Sequence, residues 1–200
     1  MHTSQPRDPY GSALGAVRQL ADSGRFVPGE SIVVTELAAE VGFSPTPVRE
    51  ALACLAGQGL IERRRGRGYF YPTLTVPEVI DLFELQLAYL HAALTLCPRG
   101  LTSLRKAALA VDPLDGAQTF FSAVIDQSAN AALTLAHQRL VDRLRSVLNA
   151  ERQRDGDDAS TTQAMRDAIG DGDVPALLGL LEVYHERRCA RAAQVISAVS

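Results

Sequence analysis

Residues 42–59 of this chain read GFSPTPVREALACLAGQG, and this stretch decides the fold of the N-terminal part. Ser44 is a typical N-cap residue, and Pro45 suits the first helical position because the backbone N–H there needs no partner within the helix. Apolar residues recur at positions 48, 51, 52 and 55, which is helical spacing, and a glycine closes the run. The stretch therefore predicts a short amphipathic helix.

The surrounding sequence predicts the order helix, strand, helix, turn, helix and hairpin. The segments are a helix over 12–23, a β-branched run at 32–34, a brief helix that Thr35 opens, the helix after Ser44, and two short strands at 60–63 and 69–71. This is the plan of a winged helix-turn-helix. We expect a flexible arm over 1–11, the winged domain over 12–72, a linker over 73–76, and an all-helical domain over 77–200, an antiparallel bundle that makes the whole fold mainly α.

The helix that begins after Ser44 presents polar residues on its outer face. Thr46 and Arg49 are three residues apart, so their side chains project together. An arginine there can bind guanine O6 and N7 in the major groove, and a threonine hydroxyl or a helix N-terminus can bind phosphate. Taken alone, a Ser-Pro helix start is only a common helix cap, and Arg49 alone is a surface residue.

The hairpin tip holds four arginines and two glycines within residues 63–68. Arginines suit a narrow, electronegative minor groove, and glycine allows the backbone to approach the sugar-phosphate wall. An arginine run at a loop tip is by itself more often a solvated turn. The order of elements and this tip together favour DNA binding through Arg63, Arg64, Arg65 and Arg67.

Charge is distributed unevenly along a chain whose formal net charge is −3. Residues 1–75 contain eight arginines and seven acidic residues, whereas residues 76–200 contain twelve basic and sixteen acidic residues. The net charges of the two parts are therefore +1 and −4. Because phosphate responds to a local patch and not to the sum over the chain, the acidic average does not exclude a nucleic-acid partner.

Residues 12–71 resemble the DNA-binding domain of GntR-type bacterial transcription regulators. The matching text is FVPGESI at 26–32, ELAAEVGFSPTPVREAL at 36–52, QGLI at 58–61 and GRGY at 66–69. The resemblance implies DNA contacts at Thr35, Ser44, Thr46, Arg49 and Gly66. Many relatives carry arginine at the positions of Thr35 and Pro45, which implies a different operator here or a larger role for the arginines of the wing.

Residues 77–199 resemble more weakly the all-helical effector domain, called FCD, of the FadR-like branch of that family. Many such domains bind a divalent metal through one Asp and three His, and the matching positions here are Ala117, Phe121, Thr162 and Tyr184. We therefore expect no metal and no other cofactor. A metal-free pocket would suit an uncharged effector, since burying an unpaired carboxylate is costly. The expected effector contacts are Gln86, Tyr89, Phe121, Asn130, Thr162 and Tyr184.

Two alternatives to that pocket stay open at this stage. The aromatic residues can fill the former cavity and leave a solid core, and Asn130 can simply cap the helix that begins near Ala131. A related alternative gives the helical domain no small ligand, so that it serves only for dimerisation or protein contacts.

Other classes of protein find little support in the sequence. It contains no Gly-x-Ser-x-Gly, Walker, His-Glu-x-x-His or dinucleotide-binding motif, so we do not expect an enzyme. The N-terminus lacks the order of a signal peptide, and we expect that no apolar stretch reaches the ~18 residues needed to cross a bilayer, which favours the cytoplasm. Cys54, Cys97 and Cys189 are odd in number and far apart, as expected for free thiols.

The expected function is that of a sequence-specific transcription regulator, and more specifically a repressor. One winged domain reads too few base pairs for specificity in a genome, so we expect a homodimer on a palindromic operator of double-stranded DNA. Apolar stripes at 133, 140, 144, 147, 177, 180 and 181 exceed what one small bundle needs and indicate dimerisation through the helical domain.

Overall fold

The structure, a computed structural model, describes residues 8–97, 100–155 and 158–199. The N-terminal elements are α1 (Pro9–Asp22), β1 (Ser31–Ile32), α2 (Val34–Val41), α3 (Pro45–Gln58), β2 (Glu62–Arg64) and β3 (Gly68–Phe70). They are followed by α4 (Val76–Leu96), α5 (Gly100–Leu109), a 3-10 turn (Pro113–Asp115), α6 (Ala117–Asp126), α7 (Ala131–Asp155), α8 (Ala159–Asp171) and α9 (Val174–Val199). The predicted mainly-α class, a winged helix-turn-helix followed by a helical domain, is confirmed.

The described residues form two compact units. The first, the winged unit, contains the residues up to Thr73 together with 142–149 from α7, and the second, the helical unit, contains Leu74–Val141 and Ala150–Ala198. This division lies within a residue or two of the linker predicted at 73–76. The sequence did not predict that the middle of α7 groups with the winged unit, where Asp142 accepts two hydrogen bonds from Arg18, at 2.9 and 3.1 Å.

The winged unit is built from α1, α2 and α3 and a three-stranded antiparallel sheet. The strand order is β1-β3-β2, with Ser31 opposite Phe70 and Arg63 opposite Tyr69. The side chains that the helices and the sheet bury form one apolar core, which includes Val48 and Leu52 of α3. Packing the apolar face of α3 inward leaves its opposite face toward solvent.

Local signals set the two ends of α3. Gly42 ends α2 at φ 76° and Gly59 ends α3 at φ 85°, a left-handed conformation that glycine adopts without the steric cost of a side chain. Ser44 occupies the predicted N-cap position, but its side chain makes no capping hydrogen bond. Pro45 stands at the start of the helix, as predicted, and the Ser44 hydroxyl stays uncommitted to the helix.

The prediction of a flexible arm over 1–11 is wrong for its last part, because α1 already begins at Pro9. Asp8 is the N-cap residue, and its carboxylate accepts a hydrogen bond from the Gly11 backbone N–H at 2.9 Å. Proline and glycine read as chain breakers in the sequence, whereas here they occupy the first turn after a good cap. Residues 1–7 of that prediction lie outside the described residues.

In the helical unit, α4 to α9 bury a common apolar core. Helix α4 is long and apolar enough by composition to cross a membrane, with a mean hydropathy of 1.3 over its best window, so the expectation that no stretch reaches that length is corrected. It nevertheless contributes Leu90 and Ala93 to this core, and it also buries Val79, Phe83 and the polar Gln86.

The reason given for dimerisation through the helical domain is wrong. The predicted surplus stripes are used inside this chain, because Leu140, Leu144, Val147, Leu177 and Leu181 are at most 3% exposed. Leu133 and Leu180 are partly buried against the core of the helical unit. Sequence spacing identifies an apolar helix face, but it does not tell whether that face meets another helix of the same chain or of a second copy.

Candidate nucleic-acid interface

Helix α3 exposes the residues that the sequence assigned to DNA contact. Ser44, Thr46 and Arg49 are exposed, as is Thr35 near the start of α2. Within the described residues, Arg49 forms no ion pair with a carboxylate. A guanidinium that is free of partners on an exposed helix face can donate its hydrogen bonds to a base edge or a phosphate.

The wing is the hairpin of β2 and β3 with its tip. The Arg67 backbone N–H donates to the Arg64 carbonyl at 3.0 Å, which closes a tight turn. Gly66 occupies the third position of that turn with φ 73°, a value that most side chains resist. Arg63, Arg65 and Arg67 are exposed around this turn.

Helix α3 and the wing line one cleft of about 520 Å³. Its walls are formed by Arg49, Arg63, Arg64, Arg65, Gly66, Gly68 and Tyr69. The predicted contacts Thr35, Ser44, Thr46 and Arg67 are exposed in the same unit but do not line this cleft. The fold thus brings an arginine of the helix and three arginines of the wing, separated by more than ten residues of chain, to one concave surface.

A hydrogen bond joins the wing to α3. The buried Tyr69 of β3 donates its hydroxyl proton to the Arg49 backbone carbonyl at 3.4 Å. This contact fixes the position of the wing at the residue that carries the exposed guanidinium. The sequence analysis missed it, because nothing in a GYFY segment tells which backbone group a tyrosine reaches.

Arg64 differs from the other arginines of the wing. Its Nε and Nη2 donate to the two carboxylate oxygens of Glu62, each at 2.9 Å, and its guanidinium carbon lies 4.1 Å from the centre of the Phe70 ring. The hydrogen bond from Arg64 lowers the pKa of Glu62. A signal for the pair was present in the sequence, since residues two apart on a strand lie on the same face.

The predicted effector residues in the helical unit are largely committed to contacts within the chain. Gln86 is fully buried: its amide oxygen accepts from Arg188 at 3.2 Å, and its amide nitrogen donates to Gln118 at 2.9 Å and lies 3.4 Å from His137 Nε2. Arg188 also donates to both carboxylate oxygens of Glu151, at 3.0 and 2.6 Å. This buried network satisfies the hydrogen-bonding groups of Gln86.

Aromatic side chains pack tightly around Phe121, which is fully buried. Its ring centre is 5.5 Å from that of Tyr184, in an edge-to-face arrangement, and 5.4 Å from that of His185, in a stacked one. Burial raises the pKa of Tyr184. Tyr89 is half-buried and packs against the same core. These contacts agree with the alternative in which aromatic residues fill the core.

The remaining two predicted effector residues bind backbone. The buried Thr162 hydroxyl donates to the Asp158 carbonyl at 3.0 Å. Asn130 is exposed, and its side-chain oxygen accepts from the backbone N–H groups of Ala132 and Leu133, both at 3.1 Å, so it caps α7.

The positions that the resemblance assigns to a metal do not fit one. Ala117 and Phe121 offer no donor atom, and the Thr162 hydroxyl is engaged with backbone. Among the residues that the structure describes, no three His, Cys, Asp or Glu side chains are grouped as ligands of a metal ion.

The winged unit matches a known family. Residues 9–70 match the family model of bacterial regulatory proteins of the gntR family. The chain is 40% identical over 67 residues to the Nta operon transcriptional regulator of Aminobacter aminovorans, which is 34% of this chain and 32% of that protein. It is 29% identical over 83 residues to the HTH-type transcriptional regulator YdhC of Bacillus subtilis, which is 42% of this chain and 37% of that protein.

Two solved structures share the fold over nearly the whole chain. McbR/YncC of E. coli superposes with a TM-score of 0.70 at 17% identity and covers 94% of this chain and 99% of its own. A GntR transcriptional regulator from Rhodococcus sp. RHA1 superposes with a TM-score of 0.73 at 20% identity, covering 92% and 97%. The sequence matches to curated relatives span only a third to a half of those proteins. Residues 9–70 are thus similar to the gntR family of bacterial regulatory proteins, and the curated relatives that match are transcriptional regulators.

Proposed function

We propose that this chain is a sequence-specific DNA-binding transcription regulator of the GntR type that acts as a repressor in the cytoplasm. The observation that carries the proposal is the shared cleft, which Arg49 of α3 lines together with three arginines of the wing. In this arrangement α3 enters the major groove, Arg49 reads a base edge, Thr46 and Ser44 bind phosphate, and the wing contacts the adjacent backbone.

The proposal is tested by selection from a random library. The full chain is incubated with double-stranded DNA of about 30 base pairs with a randomised centre, and retained duplexes are sequenced over several rounds. We expect a single motif with two-fold symmetry to emerge. Retention of no duplex, even at low salt, would contradict DNA binding, and enrichment without any preferred sequence would contradict specific recognition.

We propose further that the chain binds its operator as a homodimer. Two symmetric half-sites provide the specificity that one winged domain lacks. The apolar stripes described above are buried within the chain and therefore cannot join two copies. The argument for a homodimer is the two-fold symmetry that we expect of the operator. Sedimentation of the chain alone and with the selected duplex tests it, and a mass of one copy per duplex would exclude it.

For the helical unit, which we propose to be an FCD-type domain, the contacts favour a role without a small ligand at the predicted residues. Gln86 is saturated by Arg188 and Gln118, Phe121 is enclosed by aromatic rings, and Asn130 caps a helix. The effector prediction stays a prediction. Thermal-shift screening of small metabolites separates the two roles, because only a ligand that binds the folded state raises the melting temperature.

A further inference from the structure

We propose that Arg64 is a positioning residue of the wing, one that braces the hairpin through Glu62 and Phe70 and leaves phosphate contact to Arg63, Arg65 and Arg67. The inference rests on the proposed function, since it concerns how the wing is held for DNA. It reassigns one of the four arginines that the sequence treated as equivalent.

The register of the hairpin places the brace on one face. Glu62 is opposite Phe70 and Arg64 is opposite Gly68, so these residues share a face, while Arg63 and Tyr69 share the other. Because Gly68 has no side chain, the guanidinium of Arg64 can lean across β3 and lie over the Phe70 ring. The contact of Arg64 with Phe70 thereby joins β2 to β3, and the pair with Glu62, within β2, holds the Arg64 side chain in place.

Strand β3, which the contact with Arg64 joins to β2, is also the strand that holds the wing against α3. β3 carries Tyr69, whose hydroxyl donates to the Arg49 carbonyl. β3 is the central strand of the three-stranded sheet, whereas β2 is an edge strand that pairs with β3 alone. Contacts between β2 and β3 on the face that carries Arg64 and Phe70 therefore decide how firmly the tip of the wing is held beside Arg49.

Charge separates Arg64 from its neighbours. The carboxylate of Glu62 offsets the positive charge of Arg64 at hydrogen-bond distance. Within the described residues, Arg63, Arg65 and Arg67 are exposed and have no ion pair. These three keep their full attraction for phosphate, whereas DNA contact by Arg64 would require its pair to break.

The replacement Glu62→Gln gives a test in which the two roles predict opposite signs. Affinity of the full chain for the selected duplex is measured by fluorescence anisotropy over a series of salt concentrations. Removing the carboxylate makes the wing more positive and frees Arg64, so a phosphate-contacting Arg64 predicts tighter binding. The positioning role predicts binding about threefold weaker, because the bidentate pair that holds the Arg64 guanidinium over the Phe70 ring is lost. Unchanged or tighter binding would overturn the proposal.

The salt dependence provides the second readout. Each phosphate contact contributes about 0.9 to the slope of log affinity against log salt. We expect Arg65→Ala, the matched control, to lower the slope by about 1.8 for a homodimer that loses one contact in each copy, and Arg64→Ala to weaken binding with the slope unchanged. Arg64→Lys keeps the charge but loses the fork and the stack, so it should not restore affinity, and restoration would indicate a phosphate contact.

A double-mutant cycle closes the test. If Glu62 and Arg64 act as one brace, the variant with both Glu62→Gln and Arg64→Ala binds as the Arg64→Ala variant does. Additive effects would contradict a shared role. Failure of the unmodified chain to select any duplex overturns the proposed function instead, so the two failures are distinguishable. Circular dichroism of each variant confirms that α1 to α3 remain folded.

Discussion

Two sets of arginines, one in each unit of this chain, lie in opposite surroundings. In the winged unit, Arg49 and the wing residues Arg63, Arg65 and Arg67 are exposed and form no ion pair with a carboxylate of the described residues. In the helical unit, Arg188 is 5% exposed, donates to Glu151 and Gln86, and lies 3.9 Å above the Phe83 ring. A buried guanidinium needs partners for its charge, whereas an exposed one without partners is ready for an external anion. The comparison separates arginines that hold the fold from arginines that we propose to contact DNA.

The largest expected effect follows from removing the partner of the buried arginine. Glu151→Ala leaves the guanidinium of Arg188 without its carboxylate, and we expect the free energy of unfolding to fall by about 3–5 kcal/mol. Urea unfolding followed by circular dichroism measures the loss. The matched control is Arg187→Ala, which removes a more exposed pair with Asp158, side chains 40% and 33% exposed, and should cost less than about 1 kcal/mol. Equal losses for the two variants would remove the distinction between the two kinds of arginine.

Acid should destabilise the two units differently. Burial lowers the pKa of both His137 and His185 to about 4, and all histidines among the described residues lie in the helical unit. In the unfolded chain a histidine titrates near pH 6.5, so between about pH 6.5 and 4 the unfolded state takes up protons that the folded state refuses. Stability should therefore fall as the pH falls through that window, by about 2 kcal/mol for each histidine at pH 5.

Variants that lack the two imidazoles separate this effect from other acid effects. Replacing both His137 and His185 by glutamine should flatten the dependence of unfolding free energy on pH between 6.5 and 4. Asp158, whose pKa is lowered to about 2, contributes stability that is lost only at lower pH. A slope that persists in the double variant would show that other groups control acid stability.

The winged unit was largely predictable from sequence because its signals are local. The N-cap position of Ser44, Pro45 at the first turn and the glycines at 42 and 59 each fix backbone geometry within a few residues. The same reasoning failed at Pro9, where the cap at Asp8 converts an apparent break into a helix start. The order of elements predicted a helix and an arginine-rich hairpin, but it predicted neither their shared cleft nor the link between Tyr69 and Arg49.

The helical unit was less predictable because its decisive contacts are distant in sequence. Gln86 meets Arg188 across 102 residues, and the pattern of apolar positions gives no information on such pairing. For the same reason the stripes at 140–147 and 177–181 were assigned to a partner copy, although the chain itself buries them. The fold class can be predicted from the periodicity of apolar residues, and it was confirmed. The side-chain contacts inside the core depend on how distant segments pack, which periodicity does not show.

An intermediate effect is expected for the exposed arginine of α3. Arg49→Ala should weaken binding by about 5- to 150-fold for each half-site of the selected duplex, the cost of about 1–3 kcal/mol for one bidentate base contact. Binding of a scrambled duplex should fall much less, because phosphate contacts remain. Arg25→Ala is the matched control, since Arg25 is an exposed arginine of the same unit that is already paired with Glu40. Equal losses on both duplexes would show that Arg49 contacts only phosphate.

The smallest effect concerns Asn130, where the resemblance implies an effector contact and the structure shows a helix cap. Asn130→Ala removes the acceptor for the Ala132 and Leu133 backbone N–H groups and should lower the free energy of unfolding by about 1 kcal/mol. Asn130→Asp keeps a good capping acceptor and should retain most of that stability. Thermal unfolding of both variants measures the difference. If the alanine and aspartate variants are equally stable, Asn130 does not stabilise the protein as a helix cap. The effector contact that the resemblance implies would then be favoured again over the alternative of a solid core.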